Sequence, residues 1–326
     1  MTLRTTHDVA DAVTVLRAGG LVALPTETVY GLAGDASSPG AVARIFQVKG
    51  RPSTHPVIVH LPSASHVDAW AVDVPDWART LMTQLWPGPL TLIVPRASTV
   101  LDAVTGGQPT VGLRVPAHPL TVQLLERFDG GLAAPSANRY GHVSPTTAQH
   151  VADQLGEFLD ADRDLVLDGG HCPVGVESTI IGAWDDTPRL LRPGAVTPEQ
   201  ITDITGRVVS ADGAGVRAPG TTALHYAPRA RVVIVEPEAL SDAIAGLADG
   251  ERVGVIAPAG AVVAPDVERL AAPADENEYA QGLYAALHLA DESGMDVVIA
   301  VPPPARGVGV AVRDRLNRAS TERTTR

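Results

Sequence analysis

The chain has one cysteine, Cys172, and a single lysine, Lys49, among its 25 basic residues. One thiol excludes a disulfide framework and any zinc site built on several thiolates. It suits a reducing cytosol, so a cytoplasmic protein is expected. No apolar run of about 18 residues occurs, so no membrane span and no membrane partner are expected. Arg4, His7, Asp8 and Asp11 leave no room for the apolar core of a signal peptide at the amino terminus. Phosphate loops of the G-x-x-x-x-G-K type are missing, because Lys49 precedes Gly50 and no glycines stand where the motif needs them. H-E-x-x-H zinc motifs and G-x-S-x-G nucleophile elbows are missing too, and no metal ligand set is expected. Positive charge is also in short supply. The net charge of −12 disfavours non-specific nucleic-acid binding as the main activity, since such a surface repels a phosphate backbone.

What is present is a chain of 326 residues, 45% hydrophobic and 19% charged, enough for two folded units. Apolar spacing predicts a first helix from about Val9, capped by Thr6 and ended by Gly19-Gly20. A second helix opens at Ser38-Pro39. Buried strands are expected at Leu21–Leu24, Pro56–His60, Leu90–Val94, Thr110–Val115, Gly131–Ala134, Asp164–Leu167 and Ser178–Ala183. Helices are expected at Trp77–Trp86, His118–Arg127, Thr146–Leu155 and Pro198–Ile204. Strands and helices mix without strict alternation, which predicts an α/β domain over residues 1–210 with a mixed, twisted sheet. Residues 211–230 lack periodicity and are rich in Gly and Pro, so they read as a flexible linker. Over 231–326, strands at Arg231–Val235, Arg252–Ala257 and Asp296–Val301 alternate with helical patterns. That is the signature of a small parallel, Rossmann-like α/β domain. Gly307-Val-Gly lacks a third glycine and reads as packing, not as a dinucleotide site.

Several polar segments interrupt apolar strands at their ends, where ligands sit in α/β sheets. They are Pro25–Leu32, Lys49-Gly-Arg-Pro52 with Pro56 and His60 following, Thr110–Pro116, Ala133–Asn138 with Ser144, Gly175–Thr179 and Leu191–Gly194. Each alone also fits a capped turn or a solvated helix end. Lys49 and Arg51 flank a glycine, a geometry able to aim both charges at one anion. Arg114 lies in so apolar a strand that it needs a partner, either a protein carboxylate or an anionic ligand. The set offers one lysine, several arginines and small hydroxyl residues, and no obvious catalytic pair of carboxylates. Such a lining suits a polyanionic substrate, as in phosphoryl or nucleotidyl transfer, and does not suit glycoside hydrolysis.

In this order, Pro25-Thr-Glu-Thr-Val-Tyr-Gly-Leu32, Lys49-Gly-Arg-Pro52, Ser136-Ala-Asn138, Arg192-Pro-Gly194 and His225-Tyr-Ala-Pro228 resemble the YrdC-like family. More closely, they resemble its long two-domain members, the L-threonylcarbamoyladenylate synthases. The resemblance runs from about residue 8 to 210 and more loosely to about 318. It implies an open twisted sheet with a large concave cavity. It also implies a nucleotidyltransferase reaction: L-threonine, bicarbonate or carbon dioxide, and ATP give threonylcarbamoyl-AMP and pyrophosphate. The product feeds N6-threonylcarbamoyladenosine modification of tRNA. Mg2+ would arrive with the nucleotide. TRNA-modification proteins become expected partners, with direct tRNA contact left open.

Carried over by position, the resemblance implies that Thr28, His60, Arg114, Ala134 and Ser178 contact threonine, with Arg114 on its carboxylate. Lys49, Arg51, His55, Thr110, Ser136, Ser144 and Arg192 would hold ATP, with Lys49 and Arg51 catalytic at the phosphates. Tyr226 or His225 would reach back over the nucleotide as a lid. Two departures stand out. Thr221–Leu224 replaces a basic and aromatic stretch, and His55 stands where asparagine is common, which predicts pH-dependent nucleotide affinity. An RNA-binding module without chemistry is a second reading, opposed by the negative charge. A carbamoyl-transfer domain is a third, opposed by the lack of cysteine-rich zinc segments.

Overall fold

The computed structural model describes residues 3–213, 215–220, 226–247, 250–264 and 267–321. Ten strands build the larger sheet: β1 (Thr5–Thr6), β2 (Val22–Leu24), β3 (Gly31–Asp35), β4 (Ile58–His60), β5 (Leu90–Pro95), β6 (Thr110–Arg114), β7 (Leu132–Ala133), β8 (Leu165–Leu167), β9 (Thr179–Gly182) and β10 (Arg189–Arg192). Across the sheet they run β1-β8-β2-β3-β7-β4-β6-β5-β9-β10, with parallel and antiparallel neighbours mixed as expected. Four further strands, β11 (Arg231–Ile234), β12 (Val253–Ile256), β13 (Glu268–Ala271) and β14 (Val297–Ala300), form a separate sheet in the order β11-β14-β12-β13. All its pairs are parallel.

Several elements depart from the reading of the sequence for local reasons. Thr6 does not cap the first helix. It belongs to β1, paired in parallel with β8, and Asp8 caps the helix Val9–Arg17 by accepting from the Ala10 amide at 2.8 Å. Ser38 does cap its helix, Pro39–Lys49, with Pro39 in the first turn. Strand β3 lies in Gly-Leu-Ala-Gly-Asp, a stretch that is not among the expected strands. β10 and β13 carry charged residues and show no clean alternation.

The two sheets share packing. Val29, Val143, Val176 and Tyr226 join Tyr279, Leu283, Tyr284 and Leu287 of the helix Glu276–Glu292 in one apolar cluster. Gly175 makes the close approach possible. At φ +79° it faces that helix, and an added Cβ would stand 2.3 Å from the Ala280 carbonyl oxygen.

Candidate active site

Ile58 and His60 are two apart on β4, so their side chains share one face of the sheet. The β4–β6 register sets Arg114 directly opposite His60. Ser178 precedes β9, and Arg192 ends β10 beside it. These residues come from strand ends, as the sequence suggests, but the cavity they line lies over a face of the sheet. The hollow opens to solvent and encloses about 50 Å³. Thr28, Arg51, His60, Arg114, Ala134, Ser136, Ser178, Arg192 and Tyr226 all lie on its wall, so nine of the expected site residues converge.

Lys49 does not join them. Gly50 ends the helix in the left-handed region at φ 62°, so the chain turns between the two cations and they do not face one anion. Lys49 is buried behind the wall, and its Nζ donates to the carbonyls of Ser136 and Asn138, both at 2.5 Å. Burial first, then Arg51 and Arg139, hold its pKa well below the ordinary lysine value. In this conformation it braces the Ser136–Asn138 loop and does not reach for phosphate. We therefore expect Lys49→Met to strip one buried and one half-buried carbonyl of their donor and cost about 2 kcal/mol, seen as a melting temperature lowered by about 5 °C. An unchanged melting temperature would show that the brace is dispensable.

Three other expected contacts sit off the wall. Ser144 is buried and donates to Glu177 Oε1 at 2.6 Å. Thr110 opens β6, and His55 lies beside the Tyr140 hydroxyl at 3.1 Å. His225 and Thr221–Leu224 lie outside the described residues. Pro219 and Gly220, from the same linker, lie on the wall with Tyr226.

The electrostatics of the wall favour an anion. Arg51 donates from Nη2 to the Pro56 carbonyl at 2.8 Å, while its buried Nε has no hydrogen-bond partner among the described residues. Burial draws its pKa down to about 10, which still leaves it charged near neutrality. Arg192 donates from Nε and Nη2 to the Ser178 carbonyl at 3.1 and 2.9 Å, and from Nη1 to Pro219 at 3.0 Å. Ser178 Oγ stands between Thr91 Oγ1 at 2.7 Å and Arg192 Nη2 at 3.1 Å. His60 is pushed down to about 3, by burial and then by Arg114, so it sits on the wall as a neutral imidazole.

Arg114 finds the partner its strand demanded. Its Nη2 meets Glu27 Oε1 at 2.6 Å, and Glu27 Oε2 accepts from the Ala117 amide at 2.9 Å. Glu27 stood in a quoted motif without a role. A buried arginine in want of a carboxylate was the signal for it. Glu177, on the wall, and Arg315, far along the chain, were also missed. Among the described residues no group of three or more His, Cys, Asp or Glu side chains is placed to hold a metal ion. No helix among them is long and apolar enough to cross a membrane.

Comparison with known proteins bears on this geometry. A family model for Sua5, YciO and YrdC, described as telomere recombination, matches residues 14–194. One described as the C-terminal domain of threonylcarbamoyl-AMP synthase matches residues 196–321. The threonylcarbamoyl-AMP synthase of Pyrococcus abyssi is 39% identical over 94% of this chain and 92% of its own. That of Bacillus subtilis is 40% identical over 98% of this chain and 94% of its own. The structure of P. abyssi Sua5 complexed with L-threonine is similar at a TM-score of 0.87 and 36% identity, covering 98% of each chain. Escherichia coli YciO, at 22% identity and a TM-score of 0.52, shares the fold over 61% of this chain. The larger mixed sheet and the second parallel sheet thus have counterparts in a solved relative, and the chain belongs to the Sua5–YciO–YrdC family, in the long form that carries the threonylcarbamoyl-AMP synthase C-terminal domain.

Proposed function

We propose that the chain is a nucleotidyltransferase that makes L-threonylcarbamoyladenylate from L-threonine, bicarbonate or carbon dioxide, and ATP, for tRNA modification. The observation that carries this reading is one cavity with three buried arginines on its wall, in a chain similar along nearly its whole length to threonylcarbamoyl-AMP synthases. The threonine amine adds to the carbon of CO2 and loses a proton, forming a carbamate. A carbamate oxygen then bonds to the α-phosphorus of ATP as the bond to the β-phosphate bridging oxygen breaks, releasing pyrophosphate. The carbamate, ATP and the departing pyrophosphate are all anionic, so fixed cations and hydrogen-bond donors are the catalysts such chemistry needs.

Arg114 and Ser178, with Thr28, His60 and Ala134 around them, form the end of the hollow assigned to threonine. Arg51, Ser136, Arg192 and Tyr226 form the end assigned to ATP. Lys49 acts through the loop it braces. The one carboxylate on the wall among the described residues, Glu177, is engaged by Ser144, Tyr284 and Arg315. Mg2+ would therefore rest on the nucleotide's phosphates and on water. Residues 1–210 act as the catalytic unit and 211–230 as its cover, with proteins of tRNA modification as partners for the product.

Incubation with ATP, L-threonine and bicarbonate should release pyrophosphate. Release that persists without threonine would overturn this reading. His55 gives a further expectation. Burial, then Arg51 and Arg217, holds its pKa below the ordinary 6.5, so it is neutral at pH 7. Protonation on the acid side adds positive charge near the nucleotide. ATP affinity should therefore rise as pH falls below 6.5, and His55→Asn should abolish that rise. Identical pH profiles for the two proteins would remove His55 from the nucleotide site.

A further inference from the structure

Glu177 is the one acidic side chain on the cavity wall among the described residues, in a hollow otherwise charged by Arg51, Arg114 and Arg192. A carboxylate in that place repels the phosphates that the arginines would attract. Its contacts show how the fold deals with this. Oε1 accepts from Ser144 Oγ at 2.6 Å, and both oxygens accept from Tyr284 Oη, at 3.1 and 2.9 Å. Oε2 pairs with Arg315 Nε at 2.8 Å. Tyr284 and Arg315 belong to the helices Glu276–Glu292 and Gly309–Ala319, which pack with the smaller sheet. Arg315 is 1% exposed, and both of its terminal nitrogens have partners as well. Nη1 pairs with Asp314 at 2.6 Å, and Nη2 donates at 3.0 Å to the carbonyl of Pro193, the residue after Arg192. Its guanidinium carbon also lies 5.2 Å from the centre of the Tyr226 ring, on the cavity wall.

We propose that Arg315 is a positioning residue for the nucleotide end of the cavity: it holds the Glu177 carboxylate toward the C-terminal domain and keeps that negative charge from opposing ATP. This rests on the nucleotide reading above and gives the C-terminal domain a part in it without any contact to substrate. Burial alone would raise the Glu177 pKa, but Arg315 first, then Arg192, hold it down to about 2. The carboxylate is therefore ionised near neutrality and always in need of a cation. Without Arg315, the remaining cation is Arg192, and an Arg192 drawn onto Glu177 is lost to phosphate.

The test uses the full chain, with ATP affinity measured by calorimetry and melting temperature measured on the same samples. Arg315→Met should weaken ATP binding at least about tenfold. Glu177→Gln combined with Arg315→Met should recover affinity to within about threefold of the parent, because Gln still accepts from Ser144 and Tyr284 without a charge. Parental ATP affinity in Arg315→Met overturns the proposal. So does a loss that the folded double variant fails to recover. If Arg315→Met does not fold, the double variant decides by the same criterion. A double variant that also fails to fold counts against the proposal, since the pair would then hold the fold and not the charge. A parent chain that does not bind ATP at all sinks the nucleotide reading itself, and this proposal with it.

Discussion

Arg51→Ala should lower kcat/KM for threonylcarbamoyl-AMP formation by about 10²- to 10³-fold, the usual consequence of removing one preorganised donor from a developing anion. The size follows from what the protein leaves undone around this side chain. One Nη2 bond to the Pro56 carbonyl fixes the guanidinium, while its Nε is buried with no partner among the described residues. A buried donor without an acceptor costs stability in the free protein and gains its bond only when an anion arrives. The Tyr140 ring, 5.7 Å from the guanidinium carbon, adds a second constraint on where the charge points. Arg51→Lys keeps a charge but loses the planar fork, so it should recover only part of the loss. Melting temperature should change little in either variant. Turnover near the parental value in Arg51→Ala would remove this residue from the reaction.

The contrast with Lys49 shows where reading a sequence stops. As the single lysine of the chain, Lys49 drew attention by composition. Its neighbour Arg51 drew attention by its spacing from Lys49 and by the family motif they share. One αL glycine between them decides which of the two meets the cavity, and the carbonyls that hold Lys49 come from a loop nearly ninety residues away. Motif order along the chain identified the strand ends that converge, because each motif is local and each strand end is marked by the change from apolar to polar residues. Pairings across the fold had no local mark. Arg315 occupies the buried face of its helix with Ala311, Val312, Leu316 and Ala319, where a helical pattern alone would place an apolar residue. That misplaced charge was a legible sign of a buried partner, but Glu177 lies 138 residues earlier and no periodicity connects them. The glycine-rich β3 was hidden for the opposite reason. Its residues have weak strand propensity, and pairing with β2 and β7 overrides it.

Arg114→Ala should raise the threonine KM about 10²-fold while leaving ATP affinity within about threefold of the parent. Two separate losses are folded into that change, and they can be pulled apart. Arg114 gives Nη2 to Glu27 at 2.6 Å and Nε to the Gly88 carbonyl at 3.3 Å, whereas Nη1 makes no hydrogen bond within the described protein. The free edge of the fork is what a substrate carboxylate would use, with Glu27 fixing its direction. Alanine removes that edge and also leaves Glu27 buried without its cation, an imbalance worth about 3–5 kcal/mol. The melting temperature should therefore fall by about 10 °C. Combining Glu27→Gln with Arg114→Met removes both charges, so most of the thermal loss should return while threonine use stays impaired. If threonine use returns together with stability, Arg114 serves Glu27 alone, and the carboxylate of the substrate must be held elsewhere in the cavity.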